Sequence, residues 1–264
     1  MVAHRDRCAS VLQLAGLFAL TALLYAMVGF GGGSTYNALL VLSGTDYRLL
    51  PAIALLSNII VVSGGSWRFW RAGHVRFDRL WPWFLLSIPA AWLGGRIAIS
   101  ETVFIGLLGG ALLIAGLQLA FERHAGAEAT EGRALPLPLQ AGIGGGIGLL
   151  SGLVGIGGGI FLAPILYLLR WGPAREIAGT ASVFILVNSL AGLTGQLMKL
   201  DDFGQVEALQ DYWLLFPAVL IGGQIGSRIG STRLPPLLVK RMTAVLILYV
   251  AARLLWRWWT ALAA

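Results

Sequence analysis

The feature that most constrains this chain is a string of glycines in a place where bare backbone is hard to accommodate. Gly155-Ile156-Gly157-Gly158-Gly159 lies near the middle of a run without a single charge, from Ala134 to Leu169. Each glycine weakens a helix by about 1 kcal/mol relative to alanine, so four in five positions break one. The apolar flanks put the break at membrane depth, where irregular backbone survives only inside protein or beside a watery cavity. A near copy, Gly29-Phe30-Gly31-Gly32-Gly33-Ser34, occurs 126 residues earlier in another uncharged run, Cys8 to Thr45. Two such breaks in corresponding positions point to a transporter binding site built from discontinuous helices.

Composition agrees. Of 264 residues 57% are hydrophobic and 12% charged, against about 25% charged in soluble domains. The reading is an all-α polytopic membrane protein whose partner is the lipid bilayer. The formal charge of +7 is scattered over short connections and forms no basic stripe, so no nucleic acid is expected. Cys8 is the only cysteine, which rules out an internal disulfide and a cysteine metal cluster. Tryptophans gather near the ends of apolar runs, among them Trp67, Trp70, Trp81, Trp83, Trp256, Trp258 and Trp259, as an interfacial aromatic belt would place them.

Eight apolar segments follow one another: Val11–Val28, Leu49–Trp67, Leu80–Gly95, Thr102–Phe121, Leu137–Val154, Ile177–Met198, Tyr212–Ser227 and Met242–Trp256. The first, preceded by Arg5 and Arg7, resembles a signal peptide. It also has an internal counterpart in Leu137–Val154, and is read as a structural segment. The polar connection 122–133 divides a first membrane repeat, 1–121, from a second, 134–264. Pro89 with Gly94-Gly95 recurs 128 residues on as Pro217 with Gly222-Gly223. Small residues at fourfold spacing, Gly222, Gly226 and Gly230, or Gly142 and Gly146, fit close helix packing.

Topology turns on the glycine-broken segments. If all eight segments cross, Lys and Arg divide 11 against 8 between the two sides, a weak positive-inside signal. If each broken segment enters and returns as a hairpin, the two four-segment repeats are inverted, each with a glycine-broken first helix. Twelve of the 19 basic residues then share one side, Arg68 to Arg79 and Arg123 to Arg133 among them. The acidic connection with Asp201, Asp202, Glu207 and Asp211 lies opposite. The inverted arrangement is preferred, with both termini outside the cytoplasm.

A broken helix presents unpaired N–H groups, at the positive end of a dipole, to anything at its restart, and such an end binds anions. After the first break these groups belong to Gly32, Gly33, Ser34 and Thr35, and Gly31 and Asn37 beside them are counted in the candidate substrate site. After the second they belong to Gly158, Gly159, Ile160 and Phe161, with Gly157 likewise counted in the site. Polar residues inside other segments complete the candidate substrate site: Ser57 and Asn58 in one, and Thr180, Ser182 and Asn188 in the other, with Ser63, Ser189 and Thr194 nearby. Such groups also serve merely to join helices. A nucleotide-binding glycine loop would need a preceding strand in a soluble domain. No Asp, Glu, Lys or His lies mid-run, and no paired carboxylates, activated nucleophile or metal-ligand spacing occurs. Neither an enzyme, a metal site nor a cofactor is therefore expected. Replacing Gly33 or Gly159 by alanine is expected to spare stability and remove anion binding.

These residues resemble a known family. Gly155-Ile156-Gly157-Gly158-Gly159 with Pro164, Ala178-Gly179-Thr180-Ala181-Ser182, Ser189-Leu190-Ala191-Gly192, and Pro217 with Gly222-Gly223 are similar to the sulfite exporter TauE/SafE family of membrane transporters. The resemblance covers nearly the whole chain. It implies secondary transport, in the exporting direction, of a small sulfur-containing anion such as sulfite, thiosulfate or an organosulfonate across a bacterial inner membrane. The alternative is a passive anion channel or a non-transporting scaffold subunit; a homodimer is left open. The first repeat departs from the family pattern, with Ala38 in place of proline and Ser34, Thr35 and Asn37 in place of apolar residues. That makes the first half the expected seat of specificity.

Overall fold

The computed structural model describes residues 2–27, 30–121, 135–229 and 236–263. Among them the chain is helical throughout, without strands: α1 (Val2–Met27), α2 (Gly33–Leu42), α3 (Leu50–Arg71), α4 (Phe77–Arg96), α5 (Glu101–Phe121), α6 (Leu137–Val154), α7 (Gly159–Leu168), α8 (Ala174–Asp202), a 3-10 stretch Val206–Tyr212, α9 (Leu215–Ile229) and α10 (Pro236–Ala263). Four of the described helices are long and apolar enough to cross a membrane: α3, Glu101–Gln118 of α5, α6, and Arg175–Asp202 of α8. The chain is a multi-pass membrane protein. The connection 122–133, Gly29 and Gly230 lie outside the described residues.

Helices pack where glycine lets backbone meet backbone. Gly144, Gly148 and Gly152 of α6 lie against the carbonyls of Trp83, Ser87 and Ala91 of α4. The two helices therefore run side by side in one direction. Gly222 and Gly226 of α9 meet the carbonyls of Ala19 and Leu23 in the same way, which makes α9 parallel to α1. Gly142 and Gly146, read from sequence as packing positions, have open space where a side chain would stand. They are two residues out of phase with the contact stripe, which at about 100° per residue turns them to the far side of α6.

The recurrent glycine pairs make matched contacts. Gly94 packs on α6 and Gly95 on α8, while Gly222 packs on α1 and Gly223 on α3. Each half thus lends its Pro-Gly-Gly helix to the other half. α5 and α10 pair antiparallel, with Gly106 beside Trp258 and Gly116 beside Leu248.

The short helices fold back. Tyr36 of α2 stacks on Phe18 of α1 with ring centroids 4.6 Å apart, and Gly32 faces Thr21, so α2 retraces α1. It ends where Tyr212 donates to Thr45 Oγ1 at 3.4 Å, beside the start of α9. After α7, the ring of Trp171 lies 4.6 Å under the Arg79 guanidinium at the start of α4. Trp67, Trp70, Trp81, Trp256 and Trp259 are exposed as a belt requires, but Trp83 is 1% exposed. It is a core residue, because α6 lies over that face of α4.

Candidate functional site

The site is assembled from two interruptions. α6 ends at Gly155 (φ 80°), and Gly157 (φ 85°) and Gly158 (φ 80°) continue in left-handed backbone before α7 begins. Side chains other than glycine rarely adopt this conformation. Before α2, Gly32 (φ 94°) makes the same turn. The first hydrogen bond to reach back from α2 is Tyr36 N–H to Gly32 C=O, 3.0 Å, so the amides of Gly33, Ser34 and Thr35 precede the helical ladder. In α7 the corresponding turn is tighter. Phe161 N–H is already spent on Gly158 C=O at 3.1 Å, which removes Phe161 from the donors expected there.

The breaks meet at Asn58, which is fully buried in α3. A Cβ built on Gly33 would fall 2.5 Å from Asn58 Nδ2 and 2.8 Å from the carbonyl oxygen of Ile156; one on Gly31 would touch Asn58 Oδ1. From the second break, a Cβ on Gly157 would lie 2.8 Å from Asn58 Nδ2 and 3.1 Å from Ser189 Oγ. One side chain of the first half therefore sits between glycines of both breaks, with Ser189 of α8 completing the contact. Asn58, together with Asn37 of α2, also ties the second break down. Asn58 Nδ2 donates to Ile156 C=O at 3.2 Å, and Asn37 Nδ2 donates to Val154 C=O at 2.9 Å. Their amide nitrogens are therefore committed to protein carbonyls rather than turned to a ligand. Asn188 Nδ2 is likewise held, by Phe184 C=O of its own helix at 2.9 Å.

Not every residue read as a site candidate joins this cluster. Ser182 pairs with Ser66 at 2.9 Å, and Gly159 and Gly158 pack against Ile185 and Phe184 of α8. Thr35 Oγ1 bonds the Tyr25 hydroxyl at 2.8 Å, and Ser34 is buried. Ser63 and Thr194 are exposed and bond their own helices. What the buried polar set shares is unmet capacity. The hydroxyls of Ser57, Thr180 and Ser189 and the Oδ1 atoms of Asn37, Asn58 and Asn188 have no protein partner. A buried polar atom left so costs about 1–3 kcal/mol, which is why clusters of them mark places for water or ligand. Sequence reading missed Tyr25, Ser66 and Gln196, whose Nε2 donates to Gly152 C=O at 2.7 Å. Only their position inside apolar runs signalled them. Among the described residues no group of three His, Cys, Asp or Glu is placed to hold a metal.

The family described as Sulfite exporter TauE/SafE matches residues 14–254. A "Probable membrane transporter protein y4hK" from Sinorhizobium fredii is 34% identical, over 92% of this chain and 97% of its own length. Two proteins named "Probable membrane transporter protein MamO" are more distant. That of Paramagnetospirillum magneticum is 25% identical over 87% of this chain and 42% of its own length. That of Magnetospirillum gryphiswaldense is 26% identical over 91% and 44%. No solved structure matches the chain.

Proposed function

The chain belongs to the TauE/SafE sulfite exporter family, and from that premise we propose that it is a secondary transporter, working as an exporter, of a small sulfur-containing anion such as sulfite, thiosulfate or an organosulfonate. The observation that carries the reading is the convergence of both glycine breaks on Asn58, with Ser189 beside the second break. Donors for an oxyanion are the amides of Gly33, Ser34 and Thr35, at the positive end of α2, together with free hydroxyls such as Ser189. Asn58 positions the two breaks, and the remaining candidates, Ser57, Thr180 and Asn188, line the same helices. With no charge in the cluster, an anion is held by dipoles, which leaves it free to depart.

The same reading makes the halves inverted. It is supported by the parallel course of α1 with α9 and of α4 with α6, and by the return of α2 and α7 toward the ends from which α1 and α6 start. It puts the Arg68–Arg79 connection on the cytoplasmic side of a bacterial inner membrane by charge bias.

Ser189→Ala tests the site. Its hydroxyl has no protein partner, so its loss leaves the melting temperature unchanged or raises it. The hydrogen bond to a charged ligand, about 1.5–3 kcal/mol, disappears. Anion binding, read as ligand-dependent thermal stabilisation over a panel of sulfite, thiosulfate, sulfoacetate, sulfate and short carboxylates, should weaken about 10- to 100-fold. Saturable uptake into proteoliposomes should weaken with it. Unchanged affinity in a stable Ser189→Ala protein would overturn the site assignment; unsaturated, ohmic flux by the parent protein would favour a channel.

A further inference from the structure

A second polar feature adjoins the second glycine break, at the end of the bundle where α2, α4 and α8 finish. A cavity of about 190 Å³ is lined there by Arg48, Lys199, Phe203, Ala98, Pro51 and Leu153, among others, and no carboxylate is among the described residues that line it. The lining comes from both halves, and its floor abuts the second break: a Cβ on Gly155 would meet Pro51, and Leu153 stands two residues before that glycine.

Neither cation is in a salt bridge among the described residues. Of the nearby acids, Asp202 pairs with Arg96 at 2.7 Å and Glu101 with Arg257 at 2.7 Å, while Asp46 and Glu101 act on the Arg48 guanidinium only through space. Asp46 accepts the backbone N–H of Arg48 at 3.0 Å. Asp201, two residues beyond Lys199, is turned about 200° around α8 from it. The Arg48 guanidinium is held by aromatic groups, 5.8 Å above the Phe203 ring and 3.3 Å from the Tyr47 hydroxyl. Lys199 is half-buried and makes no ion pair among the described residues. Two cations and no carboxylate line a cavity whose walls are otherwise largely apolar, and together they raise the local concentration of anions.

We infer that this cavity is an outer anion station, in which Arg48 and Lys199 hold a small sulfonate or related oxyanion on its way between solvent and the glycine-break site. The station deepens the transporter reading and rests on it only for the identity of the anion. The contrast in chemistry fits the order of events. Full charges collect an anion from a distance, and uncharged dipoles then hold it weakly enough to let it pass.

The test uses the purified full chain in detergent, with Cys8→Ser and a single cysteine at Ala98, which is exposed and lines the cavity. Methanethiosulfonates carrying a sulfonate or a trimethylammonium group are compared, each rate being divided by its rate with free cysteine. At low salt the anionic reagent should be favoured by about tenfold. The preference should shrink in high salt and be lost in Arg48→Gln/Lys199→Gln. The charge-keeping pair Arg48→Lys/Lys199→Arg should retain it, which separates charge from misfolding. Sulfoacetate should slow the anionic reagent in the parent and not in the Gln double variant. A normalised ratio near one in the parent, or one that survives the Gln double variant, would overturn the station. A raised, charge-dependent ratio in a protein that transports no anion would instead overturn the transporter reading and leave the station standing.

Discussion

Gly33→Ala is the substitution on which sequence and structure disagree most usefully. Sequence reasoning expects it to be harmless to folding, because alanine favours a helix over glycine by about 1 kcal/mol. The structure puts the new methyl 2.5 Å from Asn58 Nδ2 and 2.8 Å from the Ile156 carbonyl oxygen, both closer than atoms tolerate. The Asn58 side chain can turn away only by giving up its 3.2 Å bond to that carbonyl, which is then buried without a partner at a cost of about 1–3 kcal/mol. The backbone carbonyl has less freedom, so overpacking adds about 1–3 kcal/mol. After the helix gain is subtracted, the net loss centres near 3 kcal/mol, or about 5–10 °C in melting temperature for a chain of this size. Thermal unfolding in detergent measures it, with Gly110→Ala as control, because nothing lies within 4 Å of a Cβ at Gly110. In an Asn58→Ala background the same glycine substitution should cost less, since one of the two obstructing groups is gone. A Gly33→Ala protein that melts within about 1 °C of the parent would refute the close approach of the two breaks and the geometry built on it.

Gly159→Ala should also destabilise, since its methyl would overlap the Ile185 side chain on α8; a parental melting temperature would show that α7 can shift. Gly152→Ala, whose methyl would press on the Ala91 carbonyl with Gly95 N only 2.8 Å away, should cost about 1–3 kcal/mol, whereas Gly142→Ala and Gly146→Ala should be neutral or stabilising in the same melts. In a Cys8→Ser background, a cysteine at Ala72 should resist an impermeant thiol reagent in intact cells while one at Gly204 reacts. Both positions are exposed, so the reverse pattern would invert the assigned orientation. Removing Arg96–Asp202 or Arg257–Glu101 should change stability by less than about 1 kcal/mol, because both pairs face solvent; a larger loss in a double-mutant cycle would mean that the ends of the bundle are held by charge.

The fold class was readable because it depends on local quantities. Apolar runs between Arg-bearing connections define membrane helices, and glycines at Gly155, Gly157 and Gly158 end a helix whatever surrounds them, since only their backbone accepts the left-handed turn. The recurrence of Gly-Gly after Pro89 and Pro217 likewise marked two helices that make matched close contacts, Gly94 and Gly95 with α6 and α8, and Gly222 and Gly223 with α1 and α3. Trp83, by contrast, has the composition of a belt residue and the burial of a core residue, and nothing in its own neighbourhood of the chain distinguishes the two. The phase of the packing stripe was equally hidden: Gly142 and Gly146 have the same spacing as Gly144 and Gly148, and only the docking of α4 decides which pair faces protein.

The candidate site divides along the same line. The sequence by itself determined that two bare backbone breaks interrupt apolar runs, and that polar residues such as Asn58 and Ser189 lie within apolar segments, because helix breaking and apolarity are properties of short segments. Only the tertiary structure decided that Asn58 stands between both breaks, that Asn37 clamps Val154 from 117 residues away, and that Ser182 pairs with Ser66 instead of facing the glycines. Those outcomes depend on how helices from opposite halves cross, and the crossing is set by where backbone can touch backbone.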